Sequence, residues 1–180
     1  MWEIRPERED DNPAVERLVI ECFGAGRFAK AAYRLREGVD PDPRLSFVAE
    51  NRETGEVLGS VRFWPVSVGG QSALLLGPLA VRPAIRGKGI GINLMQRGLA
   101  EARALGCRAV VLVGDEPYYA KVGFGRLTPG QVRFPGPVAP ERVLGLALAP
   151  GALESLSGEI RRARIDQAVS AQAAALGRPG

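Results

Sequence analysis

The sequence predicts an α+β fold built on a mixed, mostly antiparallel central sheet, and three observations indicate it. The first half of the chain holds apolar, β-rich runs separated by glycine turns, as in an antiparallel meander. A helical apolar stripe follows. After it comes the wholly apolar run 109–113, typical of a strand buried on both faces. A strand–helix–strand unit of this length predicts a crossover, so one strand pair should be parallel.

The N-terminal part of the chain predicts one strand and two helices. The strand covers residues 2–5. A first helix begins with Asn12 as its N-cap and Pro13 at its first position, because proline lacks the N–H that this position leaves unused. A second helix is predicted over residues 27–37, with Gly38 as its end.

Three further strands are predicted at 45–50, 57–64 and 73–81, joined by glycine turns. Pro78 lies inside the third of them. Because proline cannot donate to a strand ladder, it predicts a bulge, an edge or a break in pairing. It therefore marks either a simple strand end or a place where the strand leaves its neighbour and frees backbone groups for a ligand.

The C-terminal half predicts a helix after the turn at 86–91, a short helix ended by Gly123 as a left-handed cap, and two more strands. The cap allows Phe124 to pack back on Tyr119. Strands are predicted at 124–128 and 144–148, on either side of a proline-rich loop. The weakly patterned remainder from residue 153 predicts part helix and part frayed tail.

Composition narrows the function classes. We place a single domain at residues 1–155, followed by a basic, alanine-rich extension at 156–180. The absence of histidine excludes His-based triads, His general bases and His metal ligands. The net charge of +4 is too small to indicate nucleic-acid binding, and no apolar run reaches the length of a membrane span. We expect a cytoplasmic protein with Cys22 and Cys107 reduced and no metal site.

The glycine-rich turn at 86–91 has the composition of an anion site. Its successive backbone N–H groups can point at one spot, and the helix that starts there adds roughly half a positive charge. Arg86 and Lys88 bring full charges. These features suit a diphosphate, although an ordinary glycine-rich turn remains the alternative.

Two common nucleotide motifs do not fit this turn. A Walker A loop needs a glycine five residues before the Gly87-Lys88 pair and Ser or Thr after it, but those positions hold Arg82 and Gly89. A Rossmann fingerprint that starts at Gly87 needs a glycine where Ile92 stands.

The pattern that fits is Arg/Gln-x-x-Gly-x-Gly/Ala, which Arg86, Gly89 and Gly91 fill. It resembles motif A of the GNAT superfamily of N-acetyltransferases. The downstream segment 119–124 resembles the end of that family's motif B, Tyr-x-x-x-Gly-Phe. The sequence of residues 114–119 is most similar to the branch often described as YhbS-like.

The resemblance implies a three-layer α/β/α fold, with the parallel strand pair splayed around the cofactor, and acetyl-CoA as the acetyl donor. In that family the strand before the turn pairs with the pantetheine arm and the turn amides hold the diphosphate. A backbone N–H near Ala80 is the implied donor to the oxyanion. The residues assigned to cofactor binding in this way are Leu79, Ala80, Val81, Arg86, Gly87, Lys88, Gly89, Ile90 and Gly91.

Tyr119 matches the general acid of that family. A phenol, with a pKa near ~10, can give a proton to a CoA thiolate, whose thiol has a pKa near ~8.5. The alternative is a Tyr119 that only packs in the core. Tyr118 is offset by roughly 100° on a helix, so it is expected to face elsewhere.

One departure from the family concerns the general base. Many members carry a glutamate on the strand before motif A, where this chain has Leu76, Gly77 and Pro78. The amine could lose its proton to water or to a carboxylate elsewhere in the chain. The candidate carboxylates are Glu21, Glu50, Asp115 and Glu116. For Asp115 and Glu116, a helix-capping role is favoured.

The acceptor is expected to be a small-molecule or peptidyl amine. Its pocket is predicted between the two N-terminal helices, the Gly69-Gly70 hairpin and the loop 128–140. Tyr33, Trp64 and Phe134 could line it, but packing is favoured for each. A homodimer is a further expectation, because dimers are common among the relatives that the chain resembles.

An N-acetyltransferase is therefore the favoured function. A non-catalytic acyl-CoA-binding or regulatory domain of the same fold is the first alternative, because the strand carboxylate is missing. A different nucleotide binder, such as a kinase-like protein, is the second, and the failed Walker pattern argues against it.

Overall fold

A computed structural model describes residues 1–24 and 31–163 of the chain. Its helices are α1 Asn12–Phe23, α2 Ala31–Arg34, α3 Ile90–Ala104 and α4 Glu116–Tyr119. Its strands are β1 Trp2–Pro6, β2 Ser46–Asn51, β3 Val57–Val68, β4 Gln71–Val81, β5 Ala109–Val113, β6 Gly125–Arg126, β7 Val132–Arg133, β8 Val143–Ala147 and β9 Gly158–Arg162. None of the helices in these two ranges is long and apolar enough to cross a bilayer.

The strands of the described residues form one mixed sheet in the order β1-β2-β3-β4-β5-β8-β6. Strand β9 pairs with the end of β3, and β7 pairs with β9. Every pair is antiparallel except β4–β5 and the short β7–β9 pair. The predicted meander of β2, β3 and β4 and the predicted parallel partner of β4 are thus confirmed.

Helices cover both faces of the sheet, which gives the predicted three layers. Helix α3 buries Leu94, Met95 and Leu99 in a core with residues of β2, β3, β4 and β5. Helix α1 packs on the other face, where its Val15 contacts Ala80 and its neighbours. The sheet therefore separates a core under α3 from a core under α1, and the central strands lie between the two.

Strands β4 and β5 diverge beyond a short contact. They pair only through Leu74 with Val110 and Leu75 with Val111, although β4 continues to Val81. The β3–β4 register also shifts at this point, where Gly77 and Pro78 lie opposite one residue of β3. The bulge predicted from Pro78 is confirmed, and a gap opens between the two parallel strands.

The cap that closes α4 and the 3-10 turn after it has the predicted Schellman geometry. Gly123 has φ 101°, in the left-handed region where glycine carries no Cβ penalty. The Phe124 N–H donates to the Tyr119 carbonyl at 3.2 Å, and the Gly123 N–H donates to the Ala120 carbonyl at 3.0 Å. The Phe124 ring lies edge-on to the Tyr119 ring, with 6.2 Å between centroids.

The second predicted helix ends earlier in the structure than the sequence predicted. Of residues 27–37, those up to 30 lie outside the described residues, and α2 ends at Arg34. The N–H groups of Leu35 and Arg36 bond to carbonyls three residues back, which is the tighter 3-10 geometry of a helix end. The chain therefore turns earlier than the apolar spacing suggested.

The predicted tail helix is also wrong in its described part. Residues Gly158–Arg162 form β9, which pairs with β3 and buries Ile160 in the core opposite α3. A segment with one apolar residue shows no hydrophobic periodicity, so the sequence does not indicate a strand. The segment becomes a strand because it pairs with the open edge of β3. The sheet therefore extends past residue 155, and the extension from residue 164 lies outside the described residues.

The remaining differences are in strand length. The strand predicted at 124–128 is reduced to Gly125–Arg126, and the loop at 131–140 contains the short β7. Both lie at the margin of the sheet, where few backbone partners are present.

Candidate active site

A cavity of about 1120 Å³ lies where β4 and β5 diverge. Its walls come from the bulge of β4, the turn before α3, helix α4, helix α1, the α2 turn and the loop 137–139. Small-molecule sites commonly measure ~300–1,000 Å³, so this cavity has room for two reactants together.

Most of the residues predicted for the site line this cavity. They are Leu79, Val81, Arg86, Gly87, Gly89, Ile90, Gly91 and Tyr119. Ala80 and Lys88 do not line it: Ala80 is buried under α1, and the Lys88 side chain is exposed.

The direction of the β4 backbone explains the position of Ala80. The Arg82 N–H donates to the Leu58 carbonyl of β3 at 2.9 Å, which makes these two residues a hydrogen-bonded pair of the antiparallel ladder. Such pairs recur every second residue, so Ala80 also turns its N–H and C=O toward β3. Leu79 and Val81 turn theirs to the opposite edge, toward the gap.

The Val81 carbonyl at this edge already has neighbours. It accepts from the Cys22 thiol of α1 at 3.4 Å and from Arg86 Nε at 3.3 Å. The strand end, the first helix and the turn are therefore joined at one point of the cavity wall.

The turn before α3 owes its shape to glycine. Gly87 and Gly89 have φ of 83° and 85°, and Gly89 is the N-cap of α3. Gly91 needs no special φ, but a Cβ there would lie 2.3 Å from the Tyr118 hydroxyl oxygen. The backbone N–H groups at the start of this 15-residue helix thus border the cavity.

Tyr119 is held on the far side of the cavity by close packing. A Cβ on Gly114 would lie 2.3 Å from its ring, so only glycine leaves room for the ring at that strand end. Burial, together with the nearby Tyr118 and Asp115 and against Arg142 and Arg36, raises the pKa of Tyr119 to about 12. The phenol therefore stays protonated into strongly alkaline solution.

The helical offset predicted that Tyr118 faces away from Tyr119, and this prediction is wrong. Tyr118 lines the same cavity, and its ring meets the Tyr119 ring edge-on with 5.1 Å between centroids. Its hydroxyl sits against Gly91, and the Lys121 ammonium lies 5.5 Å from its ring centre. Because α4 has only four residues and Gly91 has no side chain, both tyrosines reach the cavity.

The carboxylates proposed as bases separate into two groups. Glu50 pairs with Arg5, Glu116 pairs with Arg126, and Glu21 does not line the cavity. Asp115 does line it and is 3.6 Å from Arg142 Nε.

Sequence reasoning missed a second cavity carboxylate, Glu16. It lies on α1, and its Oε1 accepts from the Arg62 guanidinium at 3.1 Å. Arg62 in turn comes from β3 and is also bound by Glu7. Only the packing of α1 on the sheet brings these residues together, so no local pattern marks them.

Arg36 is a further cavity residue that no sequence motif indicated. It follows α2, and its guanidinium lies against Gly77 in the bulge of β4. Burial lowers the pKa of Arg36 to about 10; the electrostatic influence of Tyr33 acts in the opposite sense, and that of Arg62 in the same sense.

Only some of the segments predicted to form the acceptor pocket line the cavity. Helix α1, the α2 turn with Tyr33, and the loop 137–139 line the cavity. The Gly69-Gly70 hairpin does not: it borders a separate cavity of about 480 Å³. The hairpin is tied to β9 through the Gly69 N–H and the Glu159 carbonyl, 3.1 Å apart, at the far end of the long strands.

Of the three aromatic residues considered for the acceptor pocket, Tyr33 and Trp64 line the cavity and Phe134 packs against the core. The Trp64 indole N–H donates to the Gly77 carbonyl, so this buried ring supports the bulge. Within residues 1–24 and 31–163, no group of three His, Cys, Asp or Glu side chains is placed to hold a metal ion.

Two solved structures share the fold of this chain. The Escherichia coli N-acetyltransferase YhbS, crystallised with CoA, superimposes with a TM-score of 0.75 and 31% identity over 90% of this chain and 89% of that chain. A GNAT family acetyltransferase from Brucella melitensis, crystallised with acetyl-CoA, gives 0.65 and 30% over 91% and 96%.

The sequence comparisons agree with the structural ones. YhbS of Escherichia coli K12, described as an uncharacterized N-acetyltransferase, is 34% identical over 157 residues, which span 86% of this chain and 92% of that protein. YjhQ of the same organism, also described as an uncharacterized N-acetyltransferase, is 30% identical over 133 residues and 72% of each chain. The model of the acetyltransferase (GNAT) family matches residues 12–124. The chain therefore belongs to the GNAT family of acetyltransferases.

Proposed function

We propose that this protein transfers an acetyl group from acetyl-CoA to a primary amine, by direct attack in a ternary complex. The observation that carries the proposal is the continuous cavity between the glycine turn, the diverging edge of β4 and Tyr119. The structures of YhbS with CoA and of the Brucella melitensis protein with acetyl-CoA support the choice of donor.

The donor assignment follows from the groups that face the gap. The turn amides from Arg86 to Gly91 hold the diphosphate, with charge from Arg86 and, at the rim, Lys88. The free edge of β4 pairs with the pantetheine arm through Leu79 and Val81. Ala80, whose polar groups bond to β3, keeps these two neighbours in place.

The chemistry then needs one donor at each end of the breaking bond. The amine attacks the thioester carbonyl, and the Leu79 N–H donates to the oxygen that becomes negative. As the C–S bond breaks, the Tyr119 hydroxyl gives its proton to the departing thiolate. The amine loses its proton to water, with Glu16 and Asp115 as the carboxylates at the cavity wall.

A non-catalytic acyl-CoA-binding domain is the second candidate, because Leu76, Gly77 and Pro78 offer no carboxylate. Thiol release from acetyl-CoA separates the two. Release that depends on an added amine supports the transferase, and binding without any release supports the alternative. A homodimer and a cytoplasmic location stay predictions from the sequence.

The donor site is tested by melting temperature with and without acetyl-CoA. A ligand at about 100 times its Kd stabilises by ~2.7 kcal/mol, so a rise of several degrees is expected. Arg86→Glu should abolish the rise, because it puts a negative charge at the turn. Arg17→Glu makes the same charge change on an exposed position of α1 and should retain it. No rise at millimolar acetyl-CoA would contradict the donor assignment.

A further inference from the structure

Arg36 projects into the cavity beside the reacting strand. Its NH2 atom lies 3.2 Å, and its Cζ 3.9 Å, from the position that a Cβ on Gly77 would occupy. The guanidinium therefore lies against the bulge, close to the place where many members of the family carry a glutamate. This chain has a cation at a point where a carboxylate was expected.

This cation has no counter-charge among the described residues. Arg36 Nε is buried without a hydrogen-bond partner there, and no ion pair of residues 1–24 and 31–163 includes Arg36. The segment 25–30, next to it in sequence, contains no Asp or Glu.

The other guanidinium groups of the inner cavity are paired. Arg62 is bound by Glu7 and Glu16, and Arg142 lies near Asp115. The carboxylates of the wall are thus engaged, and none is left to neutralise Arg36 in the described structure. A buried charge without a partner is costly, and the like charge of Arg62 increases that cost.

We infer that the acceptor amine carries its own oxyanion, a carboxylate or a phosphate, and that Arg36 binds it. This inference rests on the proposed acetyl transfer. A planar guanidinium offers two parallel N–H donors, which match either oxyanion.

The position of Arg36 also limits the size of the acceptor. Gly77 precedes Leu79, the proposed donor to the thioester oxygen, by two residues of β4, which span at most roughly 7 Å because the strand is bulged there. The acceptor's amine must reach the thioester carbonyl held at Leu79 while its anionic group is bound by Arg36, so the two groups must be a few bonds apart. An amino acid or a short aminoalkyl phosphate meets this requirement, whereas a long polyamine does not.

The test compares matched pairs of acceptors by thiol release from acetyl-CoA. Each α-amino acid is paired with its carboxamide, and O-phosphoethanolamine is paired with ethanolamine. The wild type should prefer the anionic member of the best pair by at least about tenfold in kcat/KM, mostly through KM, and which pair responds identifies carboxylate or phosphate. Arg36→Met should reduce the preference to about one, while Arg36→Lys retains part of it.

Arg34→Met is the matched control. Arg34 is exposed, comes from the same segment and does not line the cavity, so its loss should leave the preference unchanged. Equal rates for both members of every pair in the wild type, or a preference that survives Arg36→Met, would overturn the inference.

A binding measurement separates this inference from the proposed function. With CoA present, the N-acetyl form of the preferred acid should raise the melting temperature of the wild type and not that of Arg36→Met. If neutral amines are acetylated and anionic ones are not, the transferase stands and the role of Arg36 fails. If no amine releases thiol, the transferase fails, and the melting data on N-acetyl amino acids and phosphates still decide whether Arg36 binds an anion.

Discussion

At the scale of single residues, two adjacent tyrosines are packed at different places in the cavity wall. Tyr118 and Tyr119 are adjacent, both line the cavity, and their rings touch. The Tyr118 hydroxyl rests on Gly91 at the start of α3, whereas Tyr119 is packed against Gly114 at the end of β5. We therefore assign the proton donor role to Tyr119 and a packing role beside the turn to Tyr118.

The two phenylalanine variants test this assignment. Tyr119→Phe should lower kcat by about 10²-fold or more, the usual contribution of a general acid, while acetyl-CoA still raises the melting temperature. Tyr118→Phe removes the hydroxyl of the neighbouring cavity tyrosine and should leave kcat within a few-fold of wild type. Steady-state thiol release with a saturating amine gives both numbers, and equal losses in the two variants would contradict the assignment.

The raised pKa of Tyr119 predicts the pH dependence of the reaction. Because the folded pKa, about 12, lies above the ordinary ~10, the proton stays on Tyr119 throughout the range where an amine acceptor deprotonates. The rate should thus climb with pH as the amine becomes neutral and show no falling limb below pH ~10.

The same pKa shift predicts a stability effect. The stabilisation linked to Tyr119 is complete below pH ~10 and is lost as pH rises from there toward the folded pKa. Tyr119→Phe should therefore flatten the loss of stability between these values.

A falling limb of the rate at pH 8–9 that disappears in Tyr119→Phe would show that the phenol titrates much lower.

At the scale of whole elements, the contact between α3 and β3 depends on one glycine. Gly98 faces Phe63, and a Cβ there would lie 2.3 Å from a ring carbon. Phe63 is fully buried, so its ring cannot swing aside. The two elements therefore pack closer than an alanine would allow.

Gly98→Ala measures this packing. An alanine in a helix interior normally gains up to ~1 kcal/mol over glycine, but overpacking costs ~1–3 kcal/mol, so net destabilisation is expected. Adding Phe63→Leu to Gly98→Ala should recover part of the loss, although Phe63→Leu alone destabilises. Chemical denaturation of the three variants checks this, and a stabilising Gly98→Ala would show that the helix can shift away.

Elements with strong local patterns could be predicted from the sequence, and those that depend on distant partners could not. The meander, the crossover to β5 and the Gly123 cap follow from periodicity and glycine positions, and all are present. Strand β9 has one apolar residue, so only the open edge of β3 makes it a strand. The same holds for the site: the turn carries a motif, but Glu16 and Arg36 reach the cavity only through tertiary packing.

At the scale of the whole molecule, β9 ties the end of the described chain back to the middle of the sheet. It pairs with β3 beyond the end of β2. Leu156, just before β9, and Ile160, within it, are both buried. The hairpin at Gly69 is held to the same strand. The C-terminal residues up to Ala163 thus belong to the structural core.

Truncation tests where the domain ends. A chain that stops after Ala163 should keep nearly all of its stability, because the described core stays whole. A chain that stops after Ser155 loses the buried Ala163 and the two large buried side chains of Leu156 and Ile160, which are worth ~1.5–3 kcal/mol each out of a typical total of ~5–15 kcal/mol. Urea denaturation of both forms decides between the limits, and equal stability would place the boundary at 155.

The backbone polar groups of β4 alternate in direction with a period of two residues. Leu79 and Val81 turn their backbone polar groups to the gap and Ala80 turns its own to β3, so their proposed roles depend on counting in twos from the bulge at Gly77 and Pro78. Inserting one residue between the bulge and Leu79 would shift the count and present the wrong amides to the gap, although every residue of the site would still be there. Inserting two would restore the phase. The strand therefore tolerates changes of residue far better than changes of length.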